Sequence, residues 1–182
     1  VTARTASLPR LHVVTDDDVL ARPGFAARAA AVLGGGSGLA LHLRGTRAGA
    51  RLLLDLACRL RTVARDTGAV LLVNDRIDVA LAAGLDGVQL GERSLAVRAA
   101  RTLLPAPTLI GASVHDVERA RMAWSEGADF LIVGTIFPTS SHPGRAGAGT
   151  EFLTRVGTVG EGPMVAIGGI TPERISPCLE AG

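Results

Sequence analysis

The sequence predicts an α/β fold, a parallel (β/α)8 TIM barrel whose eighth strand and helix are absent from this chain. Three observations predict it. Short apolar, β-branched runs alternate with longer Ala-, Leu- and Arg-rich stretches through all 182 residues. The runs are continuously apolar rather than alternating, which marks a sheet buried on both faces and therefore parallel. Polar residues stand at the C-terminal end of nearly every run, where barrel active sites sit. A doubly wound sheet would carry a G-x-G-x-x-G turn after its first strand, and none follows here.

In chain order, Leu11-His12-Val13-Val14-Thr15 reads as the first strand. Pro23 to Leu33 reads as a helix, opened by Pro and stopped by Gly34-Gly35-Gly36. Leu39 to Leu43 is a strand. Ala48 to Thr67 is a long helix whose Leu52, Leu53, Leu56 and Leu60 recur at helical spacing and give its core face. Val70 to Val73 is a strand, followed by a helix from Asp75 or Arg76 to Ala83. Gly87 to Leu90 is a strand, and Leu95 to Leu104 a helix stopped by Pro105 and Pro107. Thr108 to Ser113 is a strand and Asp116 to Glu126 a helix. Phe130 to Gly134 is a strand, with a Gly/Pro/Ser loop to Gly149 and a helix near Phe152 to Val159. Met164 to Ile167 is a strand, and Pro172 to Ala181 a helix with Thr171 as its N-cap. Residues 1–182 are thus expected to form a single barrel domain, C-terminally incomplete, with the full protein continuing past Gly182.

Composition narrows the function. With 47% hydrophobic residues and a net charge of +2, the chain is not disordered. No apolar run approaches the ~20 residues a bilayer span needs, so no membrane partner is expected. All 19 basic residues are Arg. Schiff-base and P-loop lysines are thereby excluded, and an anion must be held by Arg, backbone N–H groups, hydroxyls or a metal. Basic and acidic residues nearly balance at 19 and 17, with no Tyr, one Trp and four Phe. That is a poor stacking surface, and no nucleic-acid partner is expected. Cys58 and Cys178 lie far apart, which fits a reducing cytoplasm, and Cys58 falls inside a helix as a core residue.

Several clusters carry possible chemistry. Asn74-Asp75 ends a buried strand. The Asp75 carboxylate suits Mg²⁺, a hard cation, or the capping of the next helix. Thr139-Ser140-Ser141-His142 forms a donor-rich cluster suited to phosphate oxygens, or an ordinary solvated loop. Gly168-Gly169 between strand seven and the last helix suits a phosphate held by backbone N–H groups, or a plain tight turn. His42 and Arg44 share one side of strand two, and a buried Arg44 requires a bound anion or an internal carboxylate such as Asp75. His12 and His115 read as hydrogen-bonded structural histidines.

Together these stretches resemble the thiamine phosphate synthase/TenI family of TIM barrels. The matching segments are Val13-Val14-Thr15-Asp16, Leu41-His42-Leu43-Arg44, Val73-Asn74-Asp75-Arg76 and Asp86-Gly87-Val88-Gln89-Leu90-Gly91. Ile110 to His115, Gly134 to Thr139 and Ile167 to Thr171 continue the series. The resemblance implies a cytoplasmic enzyme of thiamine biosynthesis with a small-molecule phosphate substrate. In the synthase branch a pyrimidine diphosphate joins a thiazole phosphate with Mg²⁺. It implies that Asn74 and Ser113 contact the pyrimidine diphosphate and that Asp75 binds Mg²⁺. Thr139, Ser141, Gly168 and Gly169 would then hold phosphate.

Three departures favour the TenI-like thiazole tautomerase branch, which needs no metal. The synthase pattern Gln-x-Arg-Glu-Lys is His42-Leu43-Arg44-Gly45-Thr46 here, Ser94 replaces a second metal-binding Asp, and His142 replaces a Lys. A tautomerase moves one proton, and His142 or His42 is the expected acid/base. The ranking is therefore tautomerase first, Mg²⁺-dependent synthase second, and a catalytically silent thiazole-phosphate binder third. Barrels of this size often dimerise, which leaves a homodimer open, although the sequence carries no interface signature.

Overall fold

The computed structural model describes residues 8–141, 144 and 146–182. Seven parallel strands, hydrogen-bonded strictly in chain order, form a nearly closed barrel with helices between them. They are β1 (Leu11–Val14), β2 (Leu39–Leu43), β3 (Val70–Asn74), β4 (Gly87–Leu90), β5 (Leu109–Val114), β6 (Phe130–Gly134) and β7 (Met164–Ile167). The helices are α1 (Asp17–Leu20), α2 (Phe25–Leu33), α3 (Ala50–Thr67), α4 (Ile77–Ala83), α5 (Val97–Leu103), α6 (Val117–Ser125), α7 (Glu151–Gly157) and α8 (Pro172–Glu180). None of the described helices is long and apolar enough to cross a membrane.

Side chains alternate across each strand, and the parallel register converts that alternation into two cores. Leu41, Leu43, Leu71, Val73, Val88, Ile110, Leu131 and Val133 point outward and pack beneath the helices. Ala40, Val70, Leu72, Phe130 and Ile132 point inward and fill the barrel. The interior is tight. A Cβ on Gly111 would lie 2.1 Å from Oε1 of Gln89 and 2.2 Å from the Phe130 ring, so only glycine lets Phe130 cross the barrel there. At the N-terminal end, Arg101 donates to the carbonyls of Leu104, Thr108 and Gly127 and pairs with Asp129, which also accepts from the Ile110 N–H. One side chain thus ties the loops that enter β5 and β6.

The strand order agrees with the sequence expectation, and element ends shift by at most two residues. Helix α1 is new. Asp16 caps it by accepting from the Val19 N–H at 2.7 Å, and four residues are too few to show a helical period. Gly24, at φ +72°, delays the start of α2 from Pro23 to Phe25. On α3 the buried face is Leu53, Leu56, Ala57, Leu60 and Ala64. Leu52 and Cys58 fall off that stripe and are exposed, so neither is core. Thr171 occupies the N-cap position of α8 in extended geometry, without a side-chain capping bond.

Gly111→Ala overpacks the barrel interior. We expect a loss of about 1–3 kcal/mol, read as a lower urea midpoint at unchanged m-value.

Candidate active site

Because the strands are parallel and consecutive, their C-terminal ends open together at one mouth. Thr15, just past β1, ties the first two strand ends. Its hydroxyl accepts from the Arg44 N–H at 2.8 Å and donates to the Arg44 carbonyl at 2.9 Å. Asp17 gathers the next turn, accepting from the Thr46 N–H, the Thr46 hydroxyl and the Arg47 N–H at 2.9–3.0 Å. Arg44 is half-buried at this mouth, and among the described residues its guanidinium has no hydrogen-bond or carboxylate partner. Asp75, the internal carboxylate the sequence suggested for it, is engaged elsewhere.

Asp75 leaves β3 at φ +62°, the left-handed region that Asp tolerates better than most residues. Its Oδ1 accepts from the Gly91 N–H at 2.8 Å and from the Ser94 hydroxyl, which fastens the β4–α5 turn to the end of β3. The carboxylate therefore does not cap α4. The cap position there is Arg76, which has no capping bond and pairs with Asp78. Oδ2 of Asp75 accepts from no donor among the described residues. No cluster of three or more His, Cys, Asp or Glu occurs among those residues. A hard cation held by one carboxylate, waters and ligand oxygens fits this arrangement, whereas an all-protein cage does not.

On the far side, the β6–α7 loop rests on the end of β7. Ile136 and Phe137 donate to the carbonyls of Ile167 and Gly168 at 2.9 and 3.0 Å. Gly168 and Gly169 take φ of +99° and +61°, and a Cβ on Gly169 would lie 2.4 Å from the Pro138 carbonyl oxygen. Arg174 of α8 donates to the Gly169 carbonyl at 2.7 Å and stacks 4.6 Å above the Phe137 ring. Among the described residues, the N–H groups of Gly168 and Gly169 meet no acceptor. Thr139 and Ser141 follow Pro138 on the same loop, where the Thr139 hydroxyl accepts a long 3.4 Å bond from the Ser141 N–H. His142 lies outside the described residues.

Just below the mouth the barrel interior carries polar side chains above its apolar filling. His42 and Gln89 are both 0% exposed. Nε2 of His42 lies 2.8 Å from Nδ1 of His12, and Nε2 of His12 lies 3.0 Å from the Pro9 carbonyl. Burial, with His12 alongside, pushes the His42 imidazole down to about 3. Burial also lowers His12. His42 is thus sealed and neutral near pH 7, which corrects its reading as a general acid/base: that role needs access and a near-neutral pKa. Gln89 donates to the Ser113 hydroxyl at 3.0 Å, which orients Ser113 at the mouth.

The strand ends thus bring Arg44, Asn74, Asp75, Ser113, Gly168 and Gly169 to one opening, with Thr139 and Ser141 on the loop beside it. Sequence reasoning missed Gln89 and Thr15 as organising residues and His12 as the partner of His42. The alternation along β1 and β2 was the available signal, since it turns His12 and His42 to the same face.

Residues 11–182 match the sequence family described as thiamine monophosphate synthase. A thiamine-phosphate synthase of Methanoregula boonei is 39% identical over 173 residues, 94% of this chain and 80% of that protein. One from Gloeobacter violaceus is 42% identical over 142 residues, 78% of this chain but 42% of that protein. A solved structure of a thiamine phosphate pyrophosphorylase from Pyrococcus furiosus superposes with a TM-score of 0.78 at 34% identity, covering 96% of this chain and 82% of that one.

Two outcomes follow from the site's geometry. Asp75→Ala forfeits the Gly91 and Ser94 bonds and puts Ala at φ +62°. We expect it to cost about 1–3 kcal/mol in thermal unfolding, and Asp75→Asn to cost less. Acid should also destabilise the fold through His42. Its folded pKa of about 3 lies below the ordinary 6.5, so the unfolded chain takes the proton first. The stability is complete above pH 6.5 and is lost as pH falls toward 3. Urea midpoints across that window should fall more steeply for the native protein than for His42→Gln, by on the order of a few kcal/mol in total.

Proposed function

The chain belongs to the thiamine monophosphate synthase family, and from that premise we propose that it is a thiamine-phosphate synthase, joining hydroxymethylpyrimidine diphosphate to a thiazole phosphate. The observation that carries this reading is Asp75, held at the barrel mouth with one carboxylate oxygen unengaged among the described residues, in a chain aligned over 94% of its length with a named synthase. Asp75 is the residue to hold Mg²⁺, with waters and diphosphate oxygens completing its shell. When bound, Mg²⁺ would neutralise charge on the leaving diphosphate.

The chain's own residues divide the remaining work. Arg44, whose guanidinium is unpaired among the described residues, offers it to the diphosphate, which matters in a protein without lysine. Asn74 and Ser113 face the pyrimidine portion. Thr139, Ser141 and the N–H groups of Gly168 and Gly169 receive the thiazole phosphate, and Arg174 keeps the Gly169 turn against Phe137. The thiazole tautomerase reading has less support. It needs an accessible near-neutral base, which the buried His42 does not supply, and that leaves it resting on His142. The relatives compared carry the synthase name.

A product assay with both substrate sets, with and without Mg²⁺, tests the proposal. Thiamine phosphate should form from the two precursors only with Mg²⁺, and Asp75→Ala should lower turnover about a hundredfold or more. Metal-independent conversion of the thiazole carboxylate phosphate, without thiamine phosphate, would establish the tautomerase instead. Binding of thiazole phosphate with no turnover of either set would leave a silent binder.

A further inference from the structure

Three polar atoms inside the barrel are buried without a partner among the described residues: Nδ1 of His42, Oδ1 of Asn74 and Oε1 of Gln89. They sit on adjacent strands and on one inward-facing side of the sheet. Asn74 is directly paired with Gln89 across β3 and β4. His42 pairs with Leu72, which makes Asn74 its diagonal neighbour on the same face. Each such orphan costs roughly 1–3 kcal/mol, so three at neighbouring positions of one face demand an explanation.

The hydrogen bonds beneath supply it. The Pro9 carbonyl can only accept, so Nε2 of His12 carries a proton. Neutral His12 then has a bare Nδ1, which must accept from Nε2–H of His42. Neutral His42 in turn has a bare Nδ1. The last link of this relay is therefore an obligate acceptor, and Oε1 of Gln89 is an acceptor too. An amide's oxygen and nitrogen have nearly the same shape and are distinguished by their partners. Only the NH₂ group, with two protons, answers acceptors on both flanking strands.

We propose that His12 and His42 are positioning residues that fix the Asn74 amide with its NH₂ turned inward, toward His42 and Gln89, and its carbonyl oxygen toward the mouth. Asn74 then offers the ligand an acceptor. It meets a hydrogen-bond donor, such as an N–H group of the pyrimidine, and not an unprotonated diphosphate oxygen. The diphosphate is left to Arg44 and the ion at Asp75. The consequence for substrate binding rests on the synthase reading, whereas the relay does not.

The test has two arms. In ¹⁵N-histidine-labelled native protein near neutral pH, long-range ¹H–¹⁵N correlation should find His12 and His42 both protonated at Nε2 and bare at Nδ1. A proton on Nδ1 of His42 overturns the proposal, whatever the enzyme makes. In the second arm, His12→Phe removes the acceptor that orders His42. His42 should then populate both tautomers, and KM for the pyrimidine diphosphate substrate should rise about five- to tenfold with kcat changed less than about twofold. His12→Asn, which restores an acceptor near the position of Nδ1, should recover both readouts. An unchanged His42 tautomer in His12→Phe, or a changed tautomer with an unchanged KM, overturns the positioning role. Absence of any thiamine phosphate from the native protein defeats the synthase reading while the tautomer arm still decides the relay.

Discussion

The unbroken parallel ladder from β1 to β7 is the constraint on which everything else depends. A parallel strand repeats with period two, so once one residue is assigned inward, every residue on its neighbours is assigned as well. The inward rows carry apolar residues low in the barrel and polar ones near the top: Leu72 below Asn74, Gly87 below Gln89, Gly111 below Ser113. A one-residue slip of β3 would send Asn74 under the helices and turn Val73 toward the ligand. Between β5 and β6 the glycine at 111 supports the register sterically, because a Cβ there would lie 2.2 Å from the Phe130 ring.

Much of this architecture was legible because strands buried on both faces leave continuous apolar runs with visible ends. The mouth residues were legible for the same reason, since polar residues gather where the runs end. Backbone conformation was not. Nothing in Val73-Asn74-Asp75-Arg76 announces that Asp75 turns at φ +62° and fastens the β4–α5 turn, so the capping alternative stayed open on sequence alone. Burial on α3 was misjudged at Leu52 and Cys58 because a leucine-rich helix offers more apolar residues than its buried stripe can use.

His42 shows a different limit. Its inward direction could be read from alternation, but its chemistry is set by His12, 30 residues away, and by the depth at which the two rings meet. From residue types alone, a histidine beside an arginine near a strand end suggests an acid/base. The two-ring stack down to Pro9 makes it part of the frame instead. The ranking that put the tautomerase first likewise rested on the cations missing at positions 46 and 142 and the carboxylate missing at 94, whereas the fold keeps Arg44, unpaired among the described residues, and the exposed Asp75 at the same opening.

The ring pair also bears on how such a chain can change over generations. His12 and His42 hydrogen-bond one another and His42 is fully buried, so the effect of replacing either depends on what occupies the other. A glutamine at position 42 meets a histidine acceptor at position 12 in one background and an apolar side chain in another, and only the first leaves its amide satisfied. Substitutions at the two sites are therefore epistatic, and the order in which they arise decides which intermediate still folds. Two adjacent strands of the barrel are in this way bound into a single mutational unit.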